Sequence, residues 1–165
     1  MIDMLVRLYA LPSAEEARAA LARDGVDIRR SLLPEKPIVV DWVRAHFAVW
    51  VAEVDSSYAR MPVACFVAVR GAELLGFACH DTLARNFFGP SGVIERERGR
   101  GVGRALLLAA LTAQRDAGYA YAIIGGVGPQ AYYAKTVGAV PIEGSTPGAY
   151  AGLLRRDAAK PGPPR

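Results

Sequence analysis

Cysteine and histidine are scarce in this sequence, with two of each among 165 residues. Cys65 and Cys79 have no metal-ligand spacing, and two cysteines cannot build a disulfide framework. Neither a structural zinc module nor a bound metal is expected. No uninterrupted apolar run reaches the roughly 18 residues that a membrane span needs. Asp3 and Arg7 interrupt the start, where a basic-then-apolar leader would lie. A soluble, cytoplasmic protein without membrane contact is the expectation. Excess charge is also scarce outside one stretch. Of a net +4, most lies between Arg155 and Arg165, with four cations against the single anion Asp157, so the preceding chain is nearly neutral. A nucleic-acid partner is not expected from such a body. Catalytic signatures are missing too: no Gly-x-x-x-x-Gly-Lys-Ser/Thr, no Gly-x-Ser-x-Gly and no evident Ser-His-Asp arrangement.

What is present is apolar content, 52% of the residues, enough at this length for one domain with its own core. The reading is a single domain over 1–157 and a flexible tail over 158–165, where Pro and Gly dominate. Met4 to Leu11 reads as a first strand. Ser13-Ala-Glu-Glu16 is a capping box opening a helix that ends at Asp24-Gly25. Ile38 to Glu53 has mixed helical spacing. Val63 to Val69 and Leu74 to Cys79 read as an antiparallel hairpin. If Arg70 pairs with Leu74, Cys65 and Cys79 are opposite each other; a cross-strand disulfide is then the alternative, and in a reducing compartment a pair of buried thiols is the favoured state. Phe87 to Ile94 is a strand, followed by a helix to about Ala117. Tyr119 to Ile124 is a second strand, parallel to it by a right-handed crossover. Gly125-Gly-Val-Gly128 and Pro129 lead into another helix, and Val140 to Glu143 and Ala149 to Leu154 read as two short final strands.

Between the strand at Phe87 and the helix after it lies Arg98-Gly-Arg-Gly-Val-Gly-Arg104. Three glycines where a strand turns into a helix allow an anion to approach unpaired N–H groups at the positive end of the helix. The plain alternative is a Gly-rich turn with solvated arginines. The spacing Gly-x-Gly-x-Gly is not that of a dinucleotide fingerprint.

Arg98 to Gly103, read as Arg-x-x-Gly-x-Gly, resembles the acyl-CoA pyrophosphate loop of the GNAT superfamily of N-acetyltransferases. Tyr133-Ala-Lys-Thr-Val-Gly-Ala139 is similar to the family's Tyr-x-Lys-x-Gly-Phe, with one extra residue before Gly138. The resemblance covers roughly Pro62 to Leu154. It implies an α/β fold with a mixed sheet of about six to seven strands, an antiparallel front, a central splayed parallel pair and about four flanking helices. It also implies acetyl-CoA as cosubstrate, and dimers are common among similar proteins, which makes a homodimer an expectation. The pantetheine arm would pair with backbone at Val93, Ile94 and Glu95. The pyrophosphate would take N–H groups from Gly99, Arg100, Gly101, Val102 and Gly103, together with the Arg98 and Arg104 side chains.

Acetyl transfer to an amine needs a proton acceptor, a donor for the developing oxyanion and an acid for the departing thiolate. Val93 N–H is the expected donor. Tyr133 is the expected acid, favoured over the adjacent Tyr132 by the family motif. Glu95 or water is favoured as the base over His80 and Asp81, and His46 has no distinguishing feature. Trp42, Trp50 and Tyr58 would wall the acceptor side, where Asp41, Glu53 and Asp55 would attract a cation; core packing and surface solvation are the plain readings of these residues. The expected function is acetyl transfer to a primary amine of a small molecule. The alternatives are a non-catalytic acyl-CoA or nucleotide-binding module, and an acetyltransferase of protein lysines or N-termini.

Overall fold

Both faces of the central strands are covered, which is why their sequences read as continuous apolar runs rather than alternating ones. The computed structural model describes residues 1–154; the predicted tail over 158–165 and the domain end at 157 lie outside them. Strands β3 (Cys65–Arg70) and β4 (Glu73–His80) form the antiparallel hairpin. Phe66, Ala68 and Ala78 belong to one buried cluster, and Cys65, Val67, Phe77 and Cys79 to the other. The turn is tighter than expected: Arg70 faces Glu73, not Leu74. A register shift between Ala68 and Val69 takes up one residue, so Cys65 still faces Cys79. Both cysteines are free and buried, and burial pushes the Cys79 thiol well above its ordinary pKa.

Strand β1 (Met4–Arg7) is shorter than expected, because Leu8–Ala10 forms a 3-10 turn before Pro12. Helix α1 (Ala14–Ala22) follows, with the Ser13 hydroxyl accepting the Glu16 N–H at 3.2 Å. The edge strand β2 (Val26–Arg30) pairs antiparallel with β3 and was not anticipated. It turns only Val26 and Ile28 inward, too short an alternation to stand out. The stretch expected to be helical is helical but broken: α2 (Lys36–His46) stops at Phe47, a 3-10 turn spans Ala48–Trp50, and α3 (Val51–Ser57) continues.

Strand β5 (Phe87–Val93) feeds the glycine loop and helix α4 (Val102–Asp116), whose buried Leu106, Leu107, Leu108 and Leu111 anchor one face of the sheet. Strand β6 (Tyr121–Ile124) lies parallel to β5, and helix α5 (Gln130–Val137) and strand β7 (Val140–Pro141) complete the order. The seven strands run β2-β3-β4-β5-β6-β1-β7. Of the two final strands expected, only Val140–Pro141 forms, and Gly148–Tyr150 is a 3-10 turn. β1 pairs antiparallel with β6 and fills the place beside it, so β7 takes the outer edge; after it the bond from Ser145 Oγ to Ile142 C=O and the left-handed Gly144 and Gly148 turn the chain out of the sheet. Four helices were expected flanking the sheet; five α-helices do so among the described residues.

Candidate active site

The loop between β5 and α4 is built around two left-handed residues, Gly99 (φ 76°) and Gly101 (φ 91°). Gly101 caps α4 without any side-chain hydrogen bond, and the first helical bond, Ala105 N–H to Gly101 C=O, measures 3.0 Å. The N–H groups of Val102, Gly103 and Arg104 therefore have no intrahelical acceptor and point out of the positive end of the helix. This donor set fits a pyrophosphate. The loop is tied down by Glu97, which is buried and makes a two-pronged bond to Arg70 at 2.9 and 3.0 Å, with Arg100 at 3.5 Å. The bond to Arg70 holds the Glu97 carboxyl below its ordinary pKa.

β5 and β6 are paired only at Phe87 with Ile123 and Phe88 with Ile124; beyond that point they part. The gap opens into a cavity of about 510 Å³ roofed by the first turns of α4 and by α5. Arg98, Gly99, Gly101, Gly103 and Arg104 line its loop end. Val93, Gly92 and Ser91 line the β5 side. Ile94 donates its N–H to Leu75 C=O at 3.0 Å, so by the alternation of an antiparallel ladder the N–H and C=O of Val93 face the gap. Arg98 Nε meets that C=O at 3.2 Å. Ile94 itself is buried and its N–H is already satisfied. Glu95 and Arg100 are exposed and stand outside the cavity wall, and the Val102 side chain packs into the core.

Tyr132 and Tyr133 both line the cavity from α5, their rings 5.0 Å apart and edge to face. Tyr133 packs against Phe88 and faces Ser91; burial raises its pKa, and the Ser91 side chain holds the rise back. The Tyr132 hydroxyl sits toward the glycine loop, 3.7 Å from where a Cβ on Gly103 would lie. Burial raises its pKa too, while nearby Arg104 pulls it down.

On the opposite face of β5, Phe47 lies directly on Gly92, where a Cβ would come within 2.8 Å of the ring. Phe47 stacks on Trp50 at 5.6 Å and meets Trp42 and Phe77 at 5.7 Å each, and Phe77 reaches the cavity wall. Tyr58 is elsewhere, buried with its hydroxyl 2.7 Å from Ser31 Oγ. Asp41 pairs with Arg44, and Asp55 pairs with Lys36 at 3.1 Å. His80 and Asp81 sit at the other end of β4, bonded to each other at 2.9 Å, and the His46 ring lies tilted against Trp42 at 4.7 Å. No carboxylate or imidazole lines the cavity among the described residues. Ser91, Phe88 and Phe77 were not singled out from the sequence; each sat inside a predicted strand, where only the parting of β5 and β6 distinguishes a cavity residue from a core residue.

Solved structures match over most of the chain, two of them as follows. One contains a GCN5-related glucosamine N-acetyltransferase region of a fungal multi-domain GH3 beta-N-acetylglucosaminidase, with a TM-score of 0.70 at 14% identity over 86% of this chain. The other is a GCN5-related N-acetyltransferase from Sphaerobacter thermophilus, with a TM-score of 0.61 at 18% identity, also over 86% of this chain. The chain has the GNAT fold. It spans 19% of the length of the first of these proteins and 48% of the second. No family model matches the sequence, and no curated protein matches it. In this GNAT fold the glycine loop, the parted strands and the tyrosine pair converge on one cavity. Among the described residues no helix is long and apolar enough to cross a membrane, and no group of three His, Cys, Asp or Glu residues could hold a metal.

Proposed function

We propose that the protein transfers an acetyl group from acetyl-CoA to a primary amine of a small molecule. The observation that carries this reading is the cavity between β5 and β6, open to unpaired N–H groups at one end and to two tyrosines along its side. Acetyl-CoA supplies the acyl group as a thioester: the amine nitrogen bonds to the carbonyl carbon as the carbon–sulfur bond breaks. The N–H groups of Val102 to Arg104 and the Arg98 and Arg104 side chains hold the pyrophosphate. Val93, with N–H and C=O turned to the gap, binds the arm and offers a donor to the carbonyl oxygen as it gains negative charge. Tyr133 is a phenol, protonated at neutral pH, and burial raises its pKa further; it gives its proton to the departing thiolate. With no carboxylate or imidazole among the described residues on the cavity wall, the ammonium proton of the amine leaves to water. Glu95 is exposed at the loop and does not line the cavity, so in this reading water takes the proton directly.

That same lack of a base favours the second reading, a non-catalytic acyl-CoA-binding module. Thermal melting with acetyl-CoA, CoA, ATP and NADH, each at about a hundred times its dissociation constant, tests both. Ligand binding at that excess stabilises by about 2.7 kcal/mol and raises the midpoint by about 5 to 10 °C. A shift with the two CoA species alone supports the cofactor. Thiol release on adding amines then distinguishes the enzyme from the binding module. A shift with ATP or NADH and none with CoA overturns both readings.

A further inference from the structure

A second groove, of about 440 Å³, lies between α1, the C-terminal half of α4 and the neighbouring ends of β2 and β3. It shares no lining residue with the glycine-loop cavity. The two sit toward opposite ends of α4, whose 15 residues span about 22 Å. Arg18 of α1 and Arg30 of β2 supply its positive charge, and Phe66, Pro62 and Ala113 supply apolar wall.

Arg30 is in an unusual position for a guanidinium. It is partly buried, with its carbon 4.6 Å from the centre of the Phe66 ring, and it donates to the Val63 carbonyl. Neither Arg30 nor Arg18 has a carboxylate partner among the described residues. The contrast with Arg29 is direct: one residue earlier, Glu35 grips that guanidinium at 2.6 and 2.9 Å. Asp116 is the one carboxylate on the groove wall, and its Oδ1 accepts from Arg115 at 3.0 and 3.1 Å. Burial lowers the Arg30 pKa, the mark of a cation that has lost water without gaining an anion. An anion at this place would offset that loss, and a guanidinium presents paired donors suited to a carboxylate. A bare inorganic anion would leave Phe66, Pro62 and Ala113 in contact with water.

We therefore infer that this groove binds a small monocarboxylic acid, its carboxylate between Arg18 and Arg30 and its apolar body against Phe66 and Ala113. The site is separate from the proposed acetyl-transfer site and does not depend on it. Isothermal titration of the full chain with benzoate, inorganic phosphate and benzylamine tests it. Benzoate is expected to bind, with phosphate at least ten-fold weaker and benzylamine not binding. Arg18→Gln and Arg30→Gln should each weaken benzoate at least ten-fold while the melting shift with acetyl-CoA is unchanged. Arg30→Gln also disturbs packing on Phe66, so Arg18→Gln, on the exposed side of α1, is the deciding variant. Absence of benzoate binding, equal binding of phosphate, or full binding in Arg18→Gln would overturn the inference. Failure of acetyl-CoA to bind would instead overturn the function proposed above and leave this groove as it is.

Discussion

Gly101 serves twice through the side chain it lacks. Its φ of 91° suits glycine alone, and its position leaves the end of α4 without a side-chain cap, so the first N–H groups stay open. Gly101→Ala should cost about 1–2 kcal/mol in stability, read from denaturant unfolding, and should also abolish the melting shift with acetyl-CoA. At Tyr133, replacement by Phe removes a proton donor and little volume. Turnover, followed by thiol release, should fall by about 10²–10⁴-fold with the acetyl-CoA shift retained. Tyr132→Phe should lower it less, because that hydroxyl lies toward Gly103 rather than Ser91. Of the residues expected at the site, Val93, Arg98, Gly99, Gly101, Gly103, Arg104 and Tyr133 do line one cavity. The glycine spacing made that end legible. Ile94 and Glu95 enter the expectation through the family's glycine loop; in the structure the Ile94 N–H turns toward β4, and the chain coils into the Glu95–Glu97 turn.

Among the elements, the hairpin and the β5-loop-α4 unit were readable because their signals are local: an apolar run, a turn, a glycine, a periodic stripe. β2 was not, since two inward residues make no pattern, and its neighbour across the sheet is far away in sequence. The junction after β2 has a marked pH signature. Arg29, the Leu32 N–H and Ser31 all bond Glu35, and Arg29 leads in holding its carboxyl down to about 2. A lowered folded pKa contributes stability above the unfolded value of roughly 4.3, and that contribution is lost as pH falls toward the folded one. Stability measured by denaturant should therefore decline between about pH 4.5 and pH 2, and Glu35→Gln should flatten that slope. In α4, Leu111 is fully buried against the sheet, and Leu111→Ala should cost about 2–5 kcal/mol by the same measurement.

Over the whole molecule, the expectation of a mixed sheet with a parted parallel pair holds, but the route of the chain through it does not follow from periodicity. A sequence pattern can say that Met4 to Arg7 is a strand; it does not say that the strand lies between β6 and β7. Met4 and Val6 are buried, and Asp3 extends the tie by accepting the Gly126 N–H at 2.8 Å and donating to Ser145 Oγ at 2.8 Å. Removing residues 1–11 should therefore abolish the cooperative thermal transition seen by circular dichroism, not merely lower its midpoint. The same arrangement sets the order of events during synthesis. Of the seven strands β1 is made first, yet it has its partner in Ile124, and the Asp3 N–H has its acceptor in Ser145, 142 residues away. Until those residues emerge, Met4, Val6 and Leu8 have no sheet to join, so this half of the domain closes only after nearly all of the described chain is made, at the loop-closure cost that slows folds dominated by distant contacts.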